Sequence, residues 1–177
     1  GLAIFSAIKY TVGKFAYGYF GLGDLFVFLF FGLISVLGSN FLFGSVLEFK
    51  LLSPSIALGL LSVGVLNLNN MRDIQNDADC GKKTLAVVLG AQKAKFYHLF
   101  IISFALVLIS HFQYELNISS NYLNFFLIIN SLGLFVHLFK VNNVSNPKEY
   151  DKYLKFLALH AFLFSVLISF YFFKIVV

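Results

Sequence analysis

Between Asp24 and Glu48 the chain runs for 23 positions without a charged residue. Asp, Glu, Lys and Arg are likewise missing from 51–71, 96–114, 116–139 and 156–173. A bilayer core about 30 Å thick takes about 20 apolar residues of helix to cross. Lipid offers no partners to backbone N–H and C=O groups, so the spans must satisfy their own hydrogen bonds. The runs therefore predict five transmembrane helices in an all-α polytopic bundle, with 1–177 as a single membrane domain. Residues 1–8 read as the end of a preceding helix. Charged residues make up 12% of the chain, against about 25% in soluble domains. Cys80 is the single cysteine, which excludes an internal disulfide and a cysteine metal cluster. The net charge of +5 sorts by membrane topology, which argues for a lipid bilayer and no nucleic acid as partner.

Against this background Asn67–Gly90, NLNNMRDIQNDADCGKKTLAVVLG, is dense in charge, with Arg72, Asp73, Asp77, Asp79, Lys82 and Lys83. Charge at a membrane boundary is costly and marks function by default. Asp73 and Asp77 are four apart, and Asn70 lies three before Asp73. On a helix these share a face, with neighbouring Cβ atoms about 5–6 Å apart. Two carboxylates and an amide oxygen suit Mg²⁺, which takes one or two protein carboxylates and fills its shell with water and substrate phosphate. Asp79 faces elsewhere. Arg72, Lys82 and Lys83 are the candidates for holding a metal-bound diphosphate, and Gly81 for turning the chain after the acidic helix end. The ordinary alternative is a solvated loop. Asn67, Asn69 and Asn70 at the end of an apolar helix, followed by a basic stretch, weigh against it. Asn67 and Asn69 also fit interhelical hydrogen bonding.

Upstream, Tyr10 and Lys14 form a YxxxK pair in a Gly- and Tyr-rich loop. They suit either a substrate diphosphate or anchoring at the membrane interface. TLAVVLG, 84–90, reads as a half-buried segment that seats the motif. His98 and His111 in the third span have no partner at ligand spacing, so they read as core or interface residues. Residues 140–155 read as a solvated connector, and Asn117-Ile118-Ser119 is a glycosylation sequon by pattern alone. With 9–24 inside, alternation puts Lys9, Lys14, Arg72, Lys82, Lys83, Lys93, Lys95, Lys140, Lys148, Lys152 and Lys155 on that side. These are eleven of the 13 basic residues, and the positive-inside rule then makes that face cytoplasmic. On the residues alone, three readings stay open. One is an enzyme acting on a phosphorylated lipid, and another a membrane carrier binding an ion through Asn and Asp. The third is a structural subunit whose charge cluster tolerates substitution.

The segment NNMRDIQNDADCGKKTLAVVLG resembles the second aspartate-rich motif of the UbiA superfamily of intramembrane prenyltransferases. Its pattern NN-x-RD-xxx-D-xxx-GK-x-T-LAV-x-LG resembles the 1,4-dihydroxy-2-naphthoate polyprenyltransferase branch. YTVGKFAYGYFGLGDLFVFLFFG, 10–32, resembles the segment after that branch's fourth helix, where Glu is usual at the place of Asp24. The resemblance implies a multi-pass enzyme of the inner cell membrane with its active-site loops on the cytoplasmic face. It implies transfer of a polyprenyl group from a polyprenyl diphosphate to 1,4-dihydroxy-2-naphthoate, with Mg²⁺ at Asp73 and Asp77. The runner-up acceptor is 4-hydroxybenzoate. The family also carries an earlier motif, NDxxDxxxD, and nine helices. Nothing here fits that motif, and the chain starts at Gly1. The expectation is a C-terminal portion of a longer enzyme, inactive by itself.

Overall fold

The computed structural model describes residues 21–44, 49–115 and 121–176. Tyr10, Lys14, the opening helix end at 1–8 and residues 116–120, with the sequon, lie outside the described residues. All regular structure in the described residues is helical. Helix α1 runs through Gly23–Val27, Phe28–Gly38 and Ser39–Gly44 without a break, and its middle part is wound with the wider turn of a π-helix. A 3₁₀ turn, Phe49–Leu51, leads into α2, Leu52–Arg72. Pro54 falls in the first turn of α2, where its missing N–H costs nothing. Two short helices follow, α3 at Ile74–Asp79 and α4 at Leu85–Leu89. Then come α5, Ala91–Glu115, and α6, Asn121–Asn142. A 3₁₀ turn at Pro147–Glu149 opens α7, Tyr150–Val176. Five helices, α1, α2, α5, α6 and α7, are long and apolar enough to cross a membrane. The chain is thus an all-α, multi-pass bundle, as its apolar runs require.

Helix α2 is the hub. It packs against α1, α5 and α7, while α6 closes on α5 and α7. Glycine makes two of these approaches possible. A Cβ on Gly32 of α1 would lie 2.6 Å from the Gly59 Cα of α2. One on Gly64 would lie 2.6 Å from Ile102 Cδ1 of α5 and 3.0 Å from Leu157 Cδ2 of α7. Leu61, Leu68, Ile102, Ala105, Leu157 and Phe164 are fully buried between the helices. The outer face is apolar too, with Phe31, Phe100, Phe104, Phe125, Phe135 and Phe162 exposed. On a membrane protein that surface meets lipid tails, so it needs no polar cover.

Three polar segments meet at one end of the bundle. A Cβ on Gly21, just before α1, would lie 3.1 Å from the Lys83 carbonyl. Arg72 at the end of α2 bonds Asp151 in the first turn of α7. Lys95 Nζ on α5 donates to the carbonyls of Asn142 and Val144, 3.2 and 2.7 Å away, where α6 ends. The 140–155 stretch is therefore more than a solvated connector. The last turn of α6 and the first of α7 lie within it, Val144 and Tyr150 are buried, and Asp151 fastens it to the charged motif.

Candidate active site

The charged motif folds as a helix end, one non-helical residue and a second, short helix. Asp73 is that residue, with φ −100° and ψ 11°. Its backbone stays in the helical ladder on both sides. Asp73 N–H donates to Asn69 O at 3.1 Å, and Asp77 N–H donates to Asp73 O at 2.8 Å. Asp73 and Asp77 thus keep a spacing of one turn, although the helix that carries Asn70 ends at Arg72, just before them.

Gly81 then closes α3. Its φ of +73° is the left-handed conformation that glycine adopts without strain. Gly81 N–H donates to Ala78 O at 3.0 Å, and Lys82 N–H to Asp77 O at 2.8 Å. This pair of bonds is a Schellman closure, which folds the chain back over the last turn. The turn expected of Gly81 is therefore present, and it has a chemical result. It returns the Lys82 side chain to Asp77, with Nζ 3.1 Å from Oδ1. Asp77 is 4% exposed, so this is a buried carboxylate with a half-exposed ammonium over it.

Asp73 has a different partner. Arg72 Nε donates to Oδ1 at 2.9 Å and its NH2 group to Oδ2 at 2.8 Å, a two-pronged bond. The same guanidinium reaches Asn69 Oδ1 at 2.9 Å and Asp151 Oδ1 at 3.0 Å. The Arg72 hydrogen bond holds the Asp73 carboxyl below its ordinary range, and the charge of nearby Lys82 adds to this, while Asp151 opposes it. Lys82 therefore acts on both carboxylates, by contact with Asp77 and through space on Asp73. Asn70 is 7% exposed, and among the described residues its amide has no side-chain partner. Lys83 is exposed and meets the Gly21 segment through its carbonyl. Asp79 points away, exposed, and accepts from Gln75 at 3.0 Å.

Thr84 caps α4 by accepting from Val87 N–H at 3.4 Å, and Ala86 is fully buried. The 84–90 segment does seat the loop, as its apolar composition suggests. Asn67 Nδ2 donates to Ala94 O at 3.1 Å, tying α2 to α5. The oxygens that Asp73, Asp77 and Asn70 could offer are of the kind a hard divalent cation takes. Among the described residues no group of three or more His, Cys, Asp or Glu forms a protein-only metal cage. Two carboxylates and an amide leave positions for water and phosphate, the arrangement Mg²⁺ favours.

Comparison with known proteins fits this arrangement. The model of the UbiA prenyltransferase family matches residues 1–172. The chain belongs to the UbiA prenyltransferase family. Among similar UbiA proteins, the 1,4-dihydroxy-2-naphthoate octaprenyltransferase of Haemophilus influenzae is 39% identical over 168 residues, 95% of this chain and 54% of that protein. The Escherichia coli protein of the same name is 48% identical over 113 residues, 64% of this chain and 37% of that protein. A UbiA prenyltransferase domain-containing protein of Dictyostelium discoideum is 36% identical over 126 residues, 69% of this chain and 36% of that protein. The chain thus spans about half the length, or less, of these curated relatives. No solved structure matches it.

Several partners at this site were not legible in the sequence. Asp151 lies 79 positions from Arg72, and only a shared end of the bundle joins them. His98, which looked alone, is fully buried with its Nε2 3.0 Å from Nε2 of His137 on α6. Asp24, at the start of α1, is 9% exposed and accepts from Tyr97 Oη of α5 at 3.0 Å.

Proposed function

We propose that this membrane domain binds the diphosphate end of a polyprenyl diphosphate and takes part in transferring the prenyl group to 1,4-dihydroxy-2-naphthoate, on the cytoplasmic face of the inner membrane. The observation that carries the reading is the Gly81 closure. It returns Lys82 to Asp77 at the mouth of an apolar bundle, one helical turn from Asp73 and its Arg72 ion-pair network. A prenyl diphosphate needs both environments at once, charge for its head and hydrocarbon for its tail. The names of the Haemophilus and Escherichia relatives support the naphthoate acceptor.

In this reading Asp73, Asp77 and the Asn70 amide hold Mg²⁺, which supplies positive charge to the diphosphate as it leaves. Lys82 and Lys83 add positive charge toward the phosphate oxygens. Arg72 orients Asp73 by its two-pronged bond and lends charge to the same region. Tyr10 and Lys14 are the candidates for further contacts to the head group. The apolar helices take the prenyl tail and keep water from the reactive carbon.

The test is Asp73→Asn and Asp77→Asn in the intact protein in native membranes. Each is expected to cut turnover about 100-fold or more, with the protein still inserted. Product analysis with 1,4-dihydroxy-2-naphthoate and with 4-hydroxybenzoate identifies the acceptor. Normal turnover in both variants removes the metal role. Uptake of a solute into vesicles without any prenylated product returns the carrier reading.

A further inference from the structure

Asp24 is a buried carboxylate at the start of an apolar span, with no counter-cation among the described residues. It is 9% exposed, and among the described residues its side-chain partner is the Tyr97 hydroxyl, 3.0 Å from Oδ2. Carboxylates in such places are rare and usually do chemistry. Its position is also informative. Gly21, three residues earlier, packs on the Lys83 carbonyl of the charged motif. Three residues of chain span at most about 11 Å, so Asp24 lies at the same mouth of the bundle as Asp77 and Lys82. Tyr97 approaches it from α5, seven residues into that helix. Asp73 and Asp77 both already face a cation, Arg72 or Lys82. Asp24, by contrast, faces a neutral hydroxyl.

We propose that Asp24, oriented by Tyr97, is the residue that accepts the hydroxyl proton of the aromatic acceptor. The inference rests on the prenyl-transfer reading above and assigns the acceptor end of that same site. The step balances as follows. The C–O bond of the prenyl diphosphate breaks and its electron pair leaves on diphosphate. The ring carbon forms the new C–C bond while the acceptor hydroxyl gives its proton to the Asp24 carboxylate, so the ring becomes a neutral ketone. The substituted carbon then loses its proton to the released diphosphate or, where it carried a carboxylate, loses carbon dioxide. The electron pair of that bond restores the aromatic ring, and Asp24 returns its proton to the oxygen. Tyr97 donates to Asp24 throughout and keeps one carboxylate oxygen turned to the site. The ligand class is a hydroxylated aromatic ring, and the prenyl donor does not need Asp24 for binding.

The test uses intact protein in native membranes, with Asp24→Asn, Asp24→Glu and Tyr97→Phe. Two acceptors are compared, one whose hydroxyl is protonated at the assay pH and one acidic enough to be already ionised. A prenyl thiodiphosphate, which resists ionisation, measures donor binding. With the protonated acceptor, Asp24→Asn is expected to lower kcat about 100-fold, the ordinary size of a general-base contribution. With the ionised acceptor the deficit should shrink to within about fivefold, because no proton has to be removed. Thiodiphosphate affinity should stay within about threefold, and Asp24→Glu should recover much of the activity. Tyr97→Phe should show a smaller version of the same acceptor-dependent deficit. Equal deficits with both acceptors would overturn the proposal, since they indicate a packing role for the Asp24–Tyr97 bond. So would an unimpaired Asp24→Asn enzyme. If wild-type membranes bind thiodiphosphate yet prenylate neither acceptor, the prenyl-transfer reading falls, and this role with it.

Discussion

The approach of α1 to α2 turns on a single missing methyl group. A Cβ on Gly32 would stand 2.6 Å from Gly59 Cα and 2.8 Å from Ser55 O, where ordinary contact begins at 3.4 Å. Gly32→Ala therefore has to push the two helices apart by about 0.8 Å or strain both. The obstructing atoms are backbone, so no rotamer change relieves the clash. Gly38, on the same helix, is the internal control. Its nearest neighbour to an added Cβ is Ile34 Cγ2 at 3.9 Å, an ordinary contact. Alanine is about 1 kcal/mol better than glycine in a helix interior, and this gain is common to both variants. The difference between them is then the overpacking cost, about 1–3 kcal/mol. That corresponds to about a 5- to 140-fold difference in the unfolding equilibrium. Denaturant titration of the intact protein in mixed micelles, followed by helical circular dichroism, measures it. Gly32→Ala should unfold at lower denaturant than Gly38→Ala with an unchanged slope. If the two agree within about 0.5 kcal/mol, α1 does not rest on α2 at Gly59, and Gly21 and Asp24 are not delivered to the motif by that contact.

Three further outcomes follow from particular contacts. Gly81→Ala meets nothing within 4 Å, so a loss of about 1–2 kcal/mol reports only the left-handed backbone. Gly81→Asn should lose less, and an unchanged Gly81→Ala melting temperature refutes the closure that returns Lys82 to Asp77. Asp73, whose folded carboxyl titrates below its ordinary value of about 3.9, contributes stability above that range and loses it as pH falls through the lowered value. Arg72→Gln should therefore be less stable than wild type at pH 7 and lose less below about pH 4, so the two melting curves converge in acid. Parallel curves refute the coupling. For His98 and His137, a double-mutant cycle with Phe should return a coupling of about 0.6 kcal/mol, the average for hydrogen bonds between membrane helices, and no more than about 1.7. Zero coupling refutes the pairing.

The spans were legible because length and lack of charge are properties of one helix at a time. The runs at 51–71 and 96–114 reappear inside the spans Phe49–Arg72 and Ala91–Glu115. The Gly81 turn was legible for the same local reason, since a glycine after an acidic helix end has few other uses. Rotation and neighbours were not legible. In a soluble helix the apolar stripe shows which side is buried, but here the lipid side is as apolar as the core. Phe104 is exposed and the adjacent Ala105 fully buried, and hydrophobicity does not rank them that way. The wide winding of Phe28–Gly38 has no marker in its sequence either.

What the sequence held in place of a stripe was its polar residues, read singly when they act in pairs. Asp24 with Tyr97, Arg72 with Asp151 and His98 with His137 are separated by 73, 79 and 39 positions. Each pair joins two different spans. Removing a polar group from water into a bilayer costs several kcal/mol unless it is bonded, so a long polar side chain in an apolar span calls for a partner, while a short one such as Ser55 or Ser62 is satisfied by a carbonyl of its own span. Asn130 makes the rule testable on new ground. Both polar atoms of its side chain are buried without a partner in the described residues, as are those of His160, and a Cβ on Gly133 would collide with the His160 ring. Asn130 lies two turns before His137 on α6, and His160 lies on α7. Asn130→Leu removes that polar demand without emptying the space. It should therefore leave stability unchanged or raised, whereas an Asn130 bonded directly to another helix would make the same change costly.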